Sequence, residues 1–378
     1  MKVAIVHDQL REFGGAERVL MSIKTLFPAA PVYTTTFDLD SLGEHKDIIK
    51  DWDVRLTWFG KIPLLNQFYS PFRFLTPLIW EHLNLNEFDL VISSTGSWMC
   101  KGVILHHPVG GKKQIHISYI HHPPRYLYGY QTAIEWQKYW PIKLYGTIVN
   151  HFLRMWDFTA SQRPDYLIAN SIETQKRIEK FYRRTSTVIY PPVSIPEAPI
   201  TPYTAHHPTP YFITVSRLAR AKHVDLLIKA ANTEKINLHI VGIGRDEEYL
   251  KSLAGPTISF LGNITDKQLQ VELQGARAFL FSAVDEEFGI APIEAMGYGA
   301  PVIAFASGGL KETVKEGING YLFNELEVGS ILHSISRMNS LTEGEYTQMR
   351  KNARKEAEQY SEENFKRQFM DFVKSKTK

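Results

Sequence analysis

The chain has 378 residues, a hydrophobic content of 44% and a charged content of 22%, values typical of a soluble protein with two domains of ordinary size. Its net charge of +3 is too small for a nucleic-acid-binding surface, which excludes that class of partner. The single cysteine, Cys100, excludes an intrachain disulfide. It indicates a reducing compartment, so we expect a cytoplasmic protein in which this thiol is a core residue and not a nucleophile.

Apolar runs of strand length alternate with helical patterns along the first half of the chain. The amino terminus, MKVAIVHD, predicts a first strand and lacks the cleavage site of a signal peptide. Most runs are continuous, as expected for strands of a parallel sheet that are buried on both faces. The predicted strands are residues 2–8, 89–94, 115–122, 165–171 and 187–192.

Two aromatic stretches interrupt this pattern, at residues 58–80 and 126–158. The first, WFGKIPLLNQFYSPFRFLTPLIW, holds seven aromatic residues and two charges. Neither stretch predicts a strand, and neither contains the ~20 apolar residues that a bilayer span needs. Two interpretations remain open: an anionic membrane or sugar surface, or helices that pack on the core.

The proline-rich segment at residues 191–210, with seven prolines, predicts a semi-rigid linker. We therefore expect a Rossmann-like domain at 1–190 and a second one at 211–360. Strands predicted at 211–217, 236–242, 258–264, 276–283 and 300–306 alternate with helices, which implies a parallel sheet. A last helix begins after Ser361 as N-cap and ends near Lys376.

The stretch from Ser282 to Gly299, SAVDEEFGIAPIEAMGYG, carries the strongest chemical signal. It predicts a strand, an acidic turn ended by Gly289, and a helix with Pro292 and Glu294 in its first turn. Ligands bind at this edge of parallel sheets, and a helix N-terminus suits a phosphate. The carboxylates of Glu286 and Glu294 are good acceptors for vicinal hydroxyls. Alternatively, Glu294 only complements the helix dipole.

Three further segments follow predicted strands. Arg217 and Lys222 could neutralise a diphosphate leaving group, or form an ordinary exposed basic turn. Gly14 and Gly15 allow close backbone approach at a helix N-terminus. They do not form GxGxxG, and Gly242-Ile243-Gly244 lacks the third glycine because Glu247 stands there. A phosphate loop is absent from the sequence as well, so nicotinamide and ATP sites are disfavoured.

A histidine cluster centres on YIHHPPRYLY, where His121 ends a predicted strand. A histidine there can donate a hydrogen bond to a sugar hydroxyl or share a proton near the reacting carbon. His122, His106, His107 and His116 are nearby in sequence, but the set lacks the i, i+4 spacing and the Cys or carboxylate partners of a zinc site. We therefore expect no metal.

Together these motifs resemble the retaining GT-B glycosyltransferases of family 4 (glycosyl transferases group 1). The E-x7-E motif of that family is matched by Glu286 and Glu294. The resemblance is greatest to the bacterial branch that builds O-antigen or exopolysaccharide, where many members use GDP-mannose. The other matching segments are GGAER, HHPPRY, NS at 170–171, VIYPPV, SRL-x4-H, FLGNITDKQL, G-x-P-V-I at 299–303, SGGLKETV and NGYLF.

The resemblance implies a role for each matching residue. Glu294 would hold the ribose hydroxyls, and Glu286, with the backbone of Phe288, Gly289, Ile290 and Ala291, the donor sugar. Arg217 and Lys222 would bind the diphosphate, and Gly14 and Gly15 would lie against the phosphates. His121 would hydrogen-bond the donor sugar near its anomeric carbon, although His122 replaces the small polar residue of the family and leaves the choice between the two histidines open.

The fold implied is GT-B: two Rossmann-like α/β domains whose parallel sheets face a cleft, with the last helix crossing back to the first domain. The activity implied is retaining, metal- and cofactor-independent transfer of a hexose from a nucleotide sugar to a glycan or polyprenyl-linked acceptor. GDP-mannose is the preferred donor, and the alternatives are a UDP-sugar donor, a sugar-nucleotide epimerase or phosphorylase, and a non-catalytic binding protein. Contact of residues 58–80 with lipid would place the protein on the inner face of the plasma membrane.

Overall fold

The structure is a computed structural model that describes residues 1–67, 70–106, 113–132, 136–197 and 209–377. The chain divides into two compact units. The first comprises residues 1–130, 136–192 and 363–378, and the second comprises 131–135 and 193–362. Most of the proline-rich segment, residues 198–208, lies outside the described residues, as do Phe68, Tyr69 and His107.

Each unit contains one parallel sheet. The strands of the first unit are β1 Val3–His7, β2 Val32–Thr34, β3 Val54–Leu56, β4 Leu90–Thr95, β5 Ile115–Ile120, β6 Tyr166–Ala169 and β7 Thr187–Val188. Those of the second are β8 Phe212–Val215, β9 Leu238–Val241, β10 Ile258–Gly262, β11 Ala278–Phe281, β12 Val302–Phe305 and β13 Gly320–Phe323. Within the described residues the orders are β3-β2-β1-β4-β5-β6-β7 and β10-β9-β8-β11-β12-β13.

Helices connect most successive strands. The α-helices are α1 Gly15–Leu26, α2 Lys46–Ile49, α3 Pro63–Gln67, α4 Thr76–Glu81, α5 Arg125–Tyr128, α6 Trp140–Ser161, α7 Ile172–Tyr182, α8 Val224–Glu234, α9 Glu247–Leu253, α10 Asp266–Gly275, α11 Ile290–Gly297, α12 Leu310–Thr313, α13 Val328–Asn339, α14 Glu343–Glu358 and α15 Glu362–Lys376. Short 3₁₀ helices span Asp40–His45, Ser70–Leu75, Cys100–Gly102, Trp136–Lys138 and Arg220–Lys222.

Helix α15 packs on the sheet of the first unit, although it follows the second unit in sequence. Phe365, Phe369 and Val373 on its inner face are buried in one core cluster with Ile5 of β1 and Ile92 of β4. The ring of Phe365 lies 6.1 Å from that of Tyr119 at a steep angle. The apolar i, i+4, i+8 spacing of these three residues explains the contact, and it confirms the predicted return of the last helix.

The two sheets confirm the predicted parallel α/β architecture, and the ten predicted strands are all present. The strand predicted at residues 187–192 is shorter, however, because prolines at 191 and 192 cannot donate to a ladder and only Thr187–Val188 pair with β6. Three observed strands, β2, β3 and β13, were not predicted. They have three or four residues each.

The described parts of both aromatic stretches are largely helical, and they bury some side chains and expose others. In the first stretch Phe59, Ile79 and Trp80 are buried, and the Trp80 indole donates to the carbonyl of Trp98 at 2.6 Å. Other aromatic and aliphatic side chains of the stretches face outward, as described below. None of the helices within the described ranges is long and apolar enough to span a bilayer.

Candidate active site

In the amino-terminal unit, polar side chains gather where the strand order reverses, between β1 and β4. Ligands of open parallel sheets bind at such a switch point. His7 ends β1 and pairs in register with Ser94 of β4. The Nδ1 atom of His7 lies 3.0 Å from Ser94 Oγ, which lies 2.7 Å from Nε2 of His121. The candidate catalytic histidine is thus buried and joined to two polar residues of neighbouring strands.

The glycine pair of the GGAER segment positions a carboxylate beside this group. Gly14 is the N-cap of α1, which begins at Gly15 as predicted. The backbone N–H of Gly14 donates to Glu17 Oε2 at 2.9 Å, and the other carboxylate oxygen, Oε1, lies 3.4 Å from His7 Nε2. Glu17 is buried, so this end of the helix turns its carboxylate toward the histidines.

A second buried carboxylate, that of Asp8, shapes the loop after β4. It accepts hydrogen bonds from the backbone N–H groups of Gly96, Trp98 and Cys100 at 2.7, 2.8 and 2.9 Å. Cys100 is fully buried, and burial raises the pKa of its thiol well above the usual value. Because the thiolate is the nucleophilic form, the thiol is a core residue, as predicted from its apolar neighbours.

The histidines differ in environment. His122 is only partly buried, and its Nδ1 atom is 3.1 Å from the carbonyl oxygen of Pro123. His116 lies on the face of the sheet opposite to Ser94, with its Nε2 atom 2.8 Å from Ser93 Oγ. Burial lowers the pKa of His116 to about 3. Within the part of the chain that the structure describes, no three His, Cys, Asp or Glu residues are grouped to hold a metal ion.

In the carboxyl-terminal unit the strand order reverses between β8 and β11. Lys222 ends the 3₁₀ helix that follows β8, and Glu286 lies in the acidic turn that follows β11. The Lys222 ammonium donates to Glu286 Oε2 across 2.6 Å, with both side chains about one-fifth exposed. The Ser282 hydroxyl, 2.8 Å from the Lys222 carbonyl, also connects the two loops. Sequence reasoning gave Lys222 and Glu286 separate roles and missed that they form a pair.

The acidic turn is supported by the SGG segment after β12. Asp285 has a left-handed backbone, with φ of 56°, and its N–H donates to Ser307 Oγ at 3.0 Å. Gly308, with φ of 57°, lies so close that a Cβ there would be 1.9 Å from the carbonyl oxygen of Glu286. The N–H of Gly309 donates to that same oxygen at 2.8 Å. The SGG segment therefore fixes the backbone position of Glu286.

Helix α11 begins directly after this turn. Gly289 is its N-cap in a left-handed conformation, Ile290 and Ala291 form its first turn, and Phe288 is buried with its ring 5.3 Å from that of Tyr360. The prediction that Glu294 lies in the first turn was wrong, because Glu294 is the fifth helical residue. The helix begins ahead of Pro292, since the first four N–H groups need no helical partner and a proline is tolerated there.

The loop after β8 presents Arg217, which is exposed. Its backbone is held by the glycines that came closest to a dinucleotide fingerprint. A Cβ on Gly242 would be 2.0 Å from the carbonyl oxygen of Ser216, and one on Gly244 would be 2.2 Å from that of Leu218. Gly242 and Gly244 therefore permit the close approach of two loops. This packing role explains the two glycines without a dinucleotide-binding site.

Sequence reasoning missed His7, Asp8, Glu17 and Ser94. A signal existed: polar residues end two predicted strands, VAIVHD and DLVISS, which would be neighbours in a parallel sheet. What the sequence could not supply was the register, which places His7 opposite Ser94.

Comparisons with known proteins point in one direction. Residues 201–356 match the sequence family described as glycosyl transferases group 1. The chain carries a group 1 glycosyltransferase domain. This match, the two parallel-sheet α/β units and the glycosyltransferases similar to the chain make the protein a glycosyltransferase of the GT-B type.

Two curated relatives and one solved structure illustrate the similarity. The α-1,3/1,6-mannosyltransferase ALG2 of Rhizomucor pusillus is 25% identical over 85% of this chain and 80% of its own length. The GtfA subunit of a UDP-N-acetylglucosamine–peptide N-acetylglucosaminyltransferase of Streptococcus gordonii is 28% identical over 54% of the chain, but the match spans only 44% of that relative. HepE of Anabaena, crystallised with UDP and glucose, shares the fold with a TM-score of 0.69 at 20% identity, covering 99% of this chain and 100% of HepE.

Proposed function

We propose that the protein transfers a hexose, with retention of anomeric configuration, from a nucleotide sugar to a glycan or a lipid-linked saccharide. The observation that carries this proposal is the Lys222–Glu286 pair at the switch point of the second sheet, beside the N-terminus of α11. A cation for the diphosphate and a carboxylate for sugar hydroxyls lie there within one hydrogen bond of each other. An ammonium has three N–H donors, so the bond to Glu286 leaves capacity for a phosphate oxygen.

We assign most of the donor-binding residues to the carboxyl-terminal unit and the acceptor to the amino-terminal unit. Arg217 and Lys222 would bind the diphosphate, Glu286 and the backbone from Phe288 to Ala291 the sugar, and Glu294 the ribose. Glu294 is nearly buried at 9% exposure, which suits a hydroxyl ligand better than an exposed dipole-complementing carboxylate. Gly14 and Gly15 would lie against the phosphates, and His121 would hydrogen-bond the sugar.

The mechanism we propose is front-side displacement. A double displacement needs a carboxylate nucleophile paired with a second carboxyl group, whereas Glu286 is already paired with Lys222. In the front-side route the leaving diphosphate accepts the proton of the acceptor hydroxyl, the glycosidic C–O bond breaks and the new one forms on the same face. The protein then contributes positioning and charge stabilisation, with no metal ion.

Mannose is the sugar we expect to be transferred, because the relatives matched over 85% of the chain are named as mannosyltransferases. GDP-mannose is the donor that the family resemblance implies. A UDP-sugar is the second candidate, because another relative is named for UDP-N-acetylglucosamine. A thermal-shift panel of nucleotide sugars distinguishes them, since a ligand that binds only the folded state raises Tm. We expect GDP-mannose to raise Tm the most. An increase in Tm with UDP-sugars alone would show that the donor is a UDP-sugar.

Product analysis with and without an acceptor tests the activity itself. A transferase should form a product that contains both the sugar and the acceptor. A retaining transferase should keep the anomeric configuration of the donor in that product. An epimerase would convert the donor without an acceptor, a phosphorylase would need phosphate, and a non-catalytic binding protein would leave the donor intact. An inverted product would contradict the retaining mechanism.

We also propose that the protein binds an anionic membrane through α6, where a polyprenyl-linked acceptor would be presented. An i, i+4 stripe of apolar side chains on this helix is 52–76% exposed at Trp140, Leu144, Ile148 and Phe152. The Tyr145 hydroxyl donates to the carbonyl of Pro71 and so joins α6 to the first aromatic stretch, where Leu64, Phe74 and Leu78 are also exposed.

The charges near this apolar stripe support an anionic lipid partner. Lys143 and Arg154 of α6 are exposed, whereas its single carboxylate, Asp157, is fully buried and paired with Lys101. An apolar face flanked by cations favours the interface of a membrane with anionic lipids. The location we propose is peripheral, on the inner face of the plasma membrane.

A further inference from the structure

We propose that Glu17, His7 and Ser94 form a hydrogen-bonded relay that fixes the tautomer and ring orientation of His121, so that these three are positioning residues for sugar transfer. The proposal rests on the proposed function, because it gives His121 its role at the donor sugar. The contacts lie within one unit and run from Glu17 Oε1 to His7 Nε2 at 3.4 Å, from His7 Nδ1 to Ser94 Oγ at 3.0 Å, and from Ser94 Oγ to His121 Nε2 at 2.7 Å.

The fold places these groups in a row. His7 and Ser94 are partners in the β1–β4 ladder, and Ser94 is the partner of Tyr119 in the β4–β5 ladder. His121 follows the last residue of β5, and its ring lies 5.2 Å from that of Tyr119. Glu17 reaches the row from the first turn of α1. The row therefore follows from strand register and the start of one helix.

The acceptor at one end, the Glu17 carboxylate, gives the relay a direction. A carboxylate only accepts hydrogen bonds, and the Gly14 N–H already donates to Glu17, so His7 must donate from Nε2. We take the His7 ring to carry one proton, so that it accepts at Nδ1 from the Ser94 hydroxyl, and the Ser94 oxygen accepts from Nε2–H of His121. This assignment, made from the hydrogen-bond network, places the proton of a neutral His121 ring on Nε2 and makes Nδ1 the unprotonated nitrogen.

The relay differs from an ordinary buried polar contact on the other face of the same sheet. There Ser93 Oγ lies 2.8 Å from both His116 Nε2 and Ser118 Oγ, on the strand position next to Ser94. Burial of polar groups costs free energy unless they are hydrogen-bonded, and the Ser93 hydroxyl and His116 Nε2 satisfy each other in this way. Of the two, only the row on the Ser94 side joins a candidate catalytic residue to a carboxylate. Ser93 thus provides a matched control for Ser94.

The test compares Ser94→Ala, Glu17→Gln and Ser93→Ala in the full chain with ¹⁵N-labelled histidine. Long-range ¹H–¹⁵N correlation spectra report the tautomer of His121 without any donor. We expect Nε2–H in the wild type and in Ser93→Ala, and a shift toward Nδ1–H in the other two. Transfer assays should show kcat lowered about 10- to 100-fold in those two variants, with the donor KM unchanged within about twofold.

Each outcome decides one part of the proposal. An unchanged His121 tautomer in Ser94→Ala and Glu17→Gln would refute the relay, and an altered tautomer with unchanged kcat would refute its positioning role. Ser94→Thr, which keeps the hydroxyl, should restore the wild-type spectrum, and equal melting of Ser94→Ala and Ser93→Ala would show that folding is not the cause. If the wild type transferred no sugar from any donor, the proposed function would be refuted. The spectra would still test the relay, because they are recorded without donor.

Discussion

Lys222 and Glu286 connect two loops of the second unit through a 2.6 Å ion pair, although they are 64 residues apart in sequence. Each loop follows one of the two strands between which the strand order reverses. The pair therefore couples the residue proposed to hold the diphosphate to the residue proposed to hold the sugar. Loss of either partner should therefore affect both diphosphate binding and sugar binding.

A double-mutant cycle on this pair should reveal the coupling. Glu286→Gln is expected to lower kcat on the order of 100-fold with a smaller change in donor affinity, because its charge acts mainly as the C–O bond breaks. Lys222→Gln should lower kcat/KM by a similar factor. The fold-decrease of the double variant should be smaller than the product of the two single fold-decreases. The control cycle on Lys229 and Asp225, an exposed i, i+4 pair of α8, should be additive in kcat/KM.

Arg217→Ala should weaken donor binding and turnover together, because a cation at the diphosphate acts in the ground state and in the transition state. We expect kcat/KM to fall by about two orders of magnitude, measured by initial rates at varied donor concentration. Lys267→Ala, which removes an exposed cation of α10, should leave kcat/KM unchanged. Activity of Arg217→Ala within about twofold of wild type would overturn the phosphate assignment.

Gly308→Ala tests the support of the acidic turn. A Cβ there would approach the Glu286 carbonyl oxygen to 1.9 Å, so the turn must shift and kcat should fall. Gly317→Ala is a matched control, since Gly317 also has positive φ, 70°, but has open space around its Cβ position. Both should lose about 1 kcal/mol of unfolding free energy from the left-handed backbone. Equal kcat in the two variants would show that the SGG segment does not position Glu286.

Membrane binding should depend on the apolar stripe of α6. Flotation with vesicles that contain anionic lipid should recover the wild type and lose the Trp140→Ser/Phe152→Ser variant, because the stripe supplies the buried apolar area. The control, Val271→Ser/Ile318→Ser, removes two apolar residues that are 52% and 51% exposed elsewhere and should float like the wild type. Equal flotation of both double variants would place any membrane contact outside α6.

Chelation should leave transfer unaffected. Arg217 and Lys222 are proposed to neutralise the leaving diphosphate in place of a divalent cation, so the rate after dialysis against EDTA should equal the rate before it. Added Mg²⁺ or Mn²⁺ should not raise it. Abolition of activity by EDTA, with recovery on addition of a metal ion, would contradict the proposed charge stabilisation.

The sequence by itself determined the fold class, and it predicts the candidate donor-binding residues of the carboxyl-terminal unit. Continuous apolar runs predict buried parallel strands because both faces of such a sheet are covered by helices, and ten strands were located in this way. The E-x7-E motif and the glycines around it act over a few residues, within one loop and one helix. Local patterns of this kind are readable from sequence because neighbours along the chain are also neighbours in space.

Only the tertiary structure decided which polar groups meet. His7 and Ser94 are 87 residues apart, and their contact depends on strand register, which a one-residue slip would destroy. The pairing of Lys222 with Glu286 depends in the same way on β8 and β11 being neighbours. The sequence also left open whether the aromatic stretches were core or surface, and the structure divides them, because a helix has two faces and each stretch supplies both.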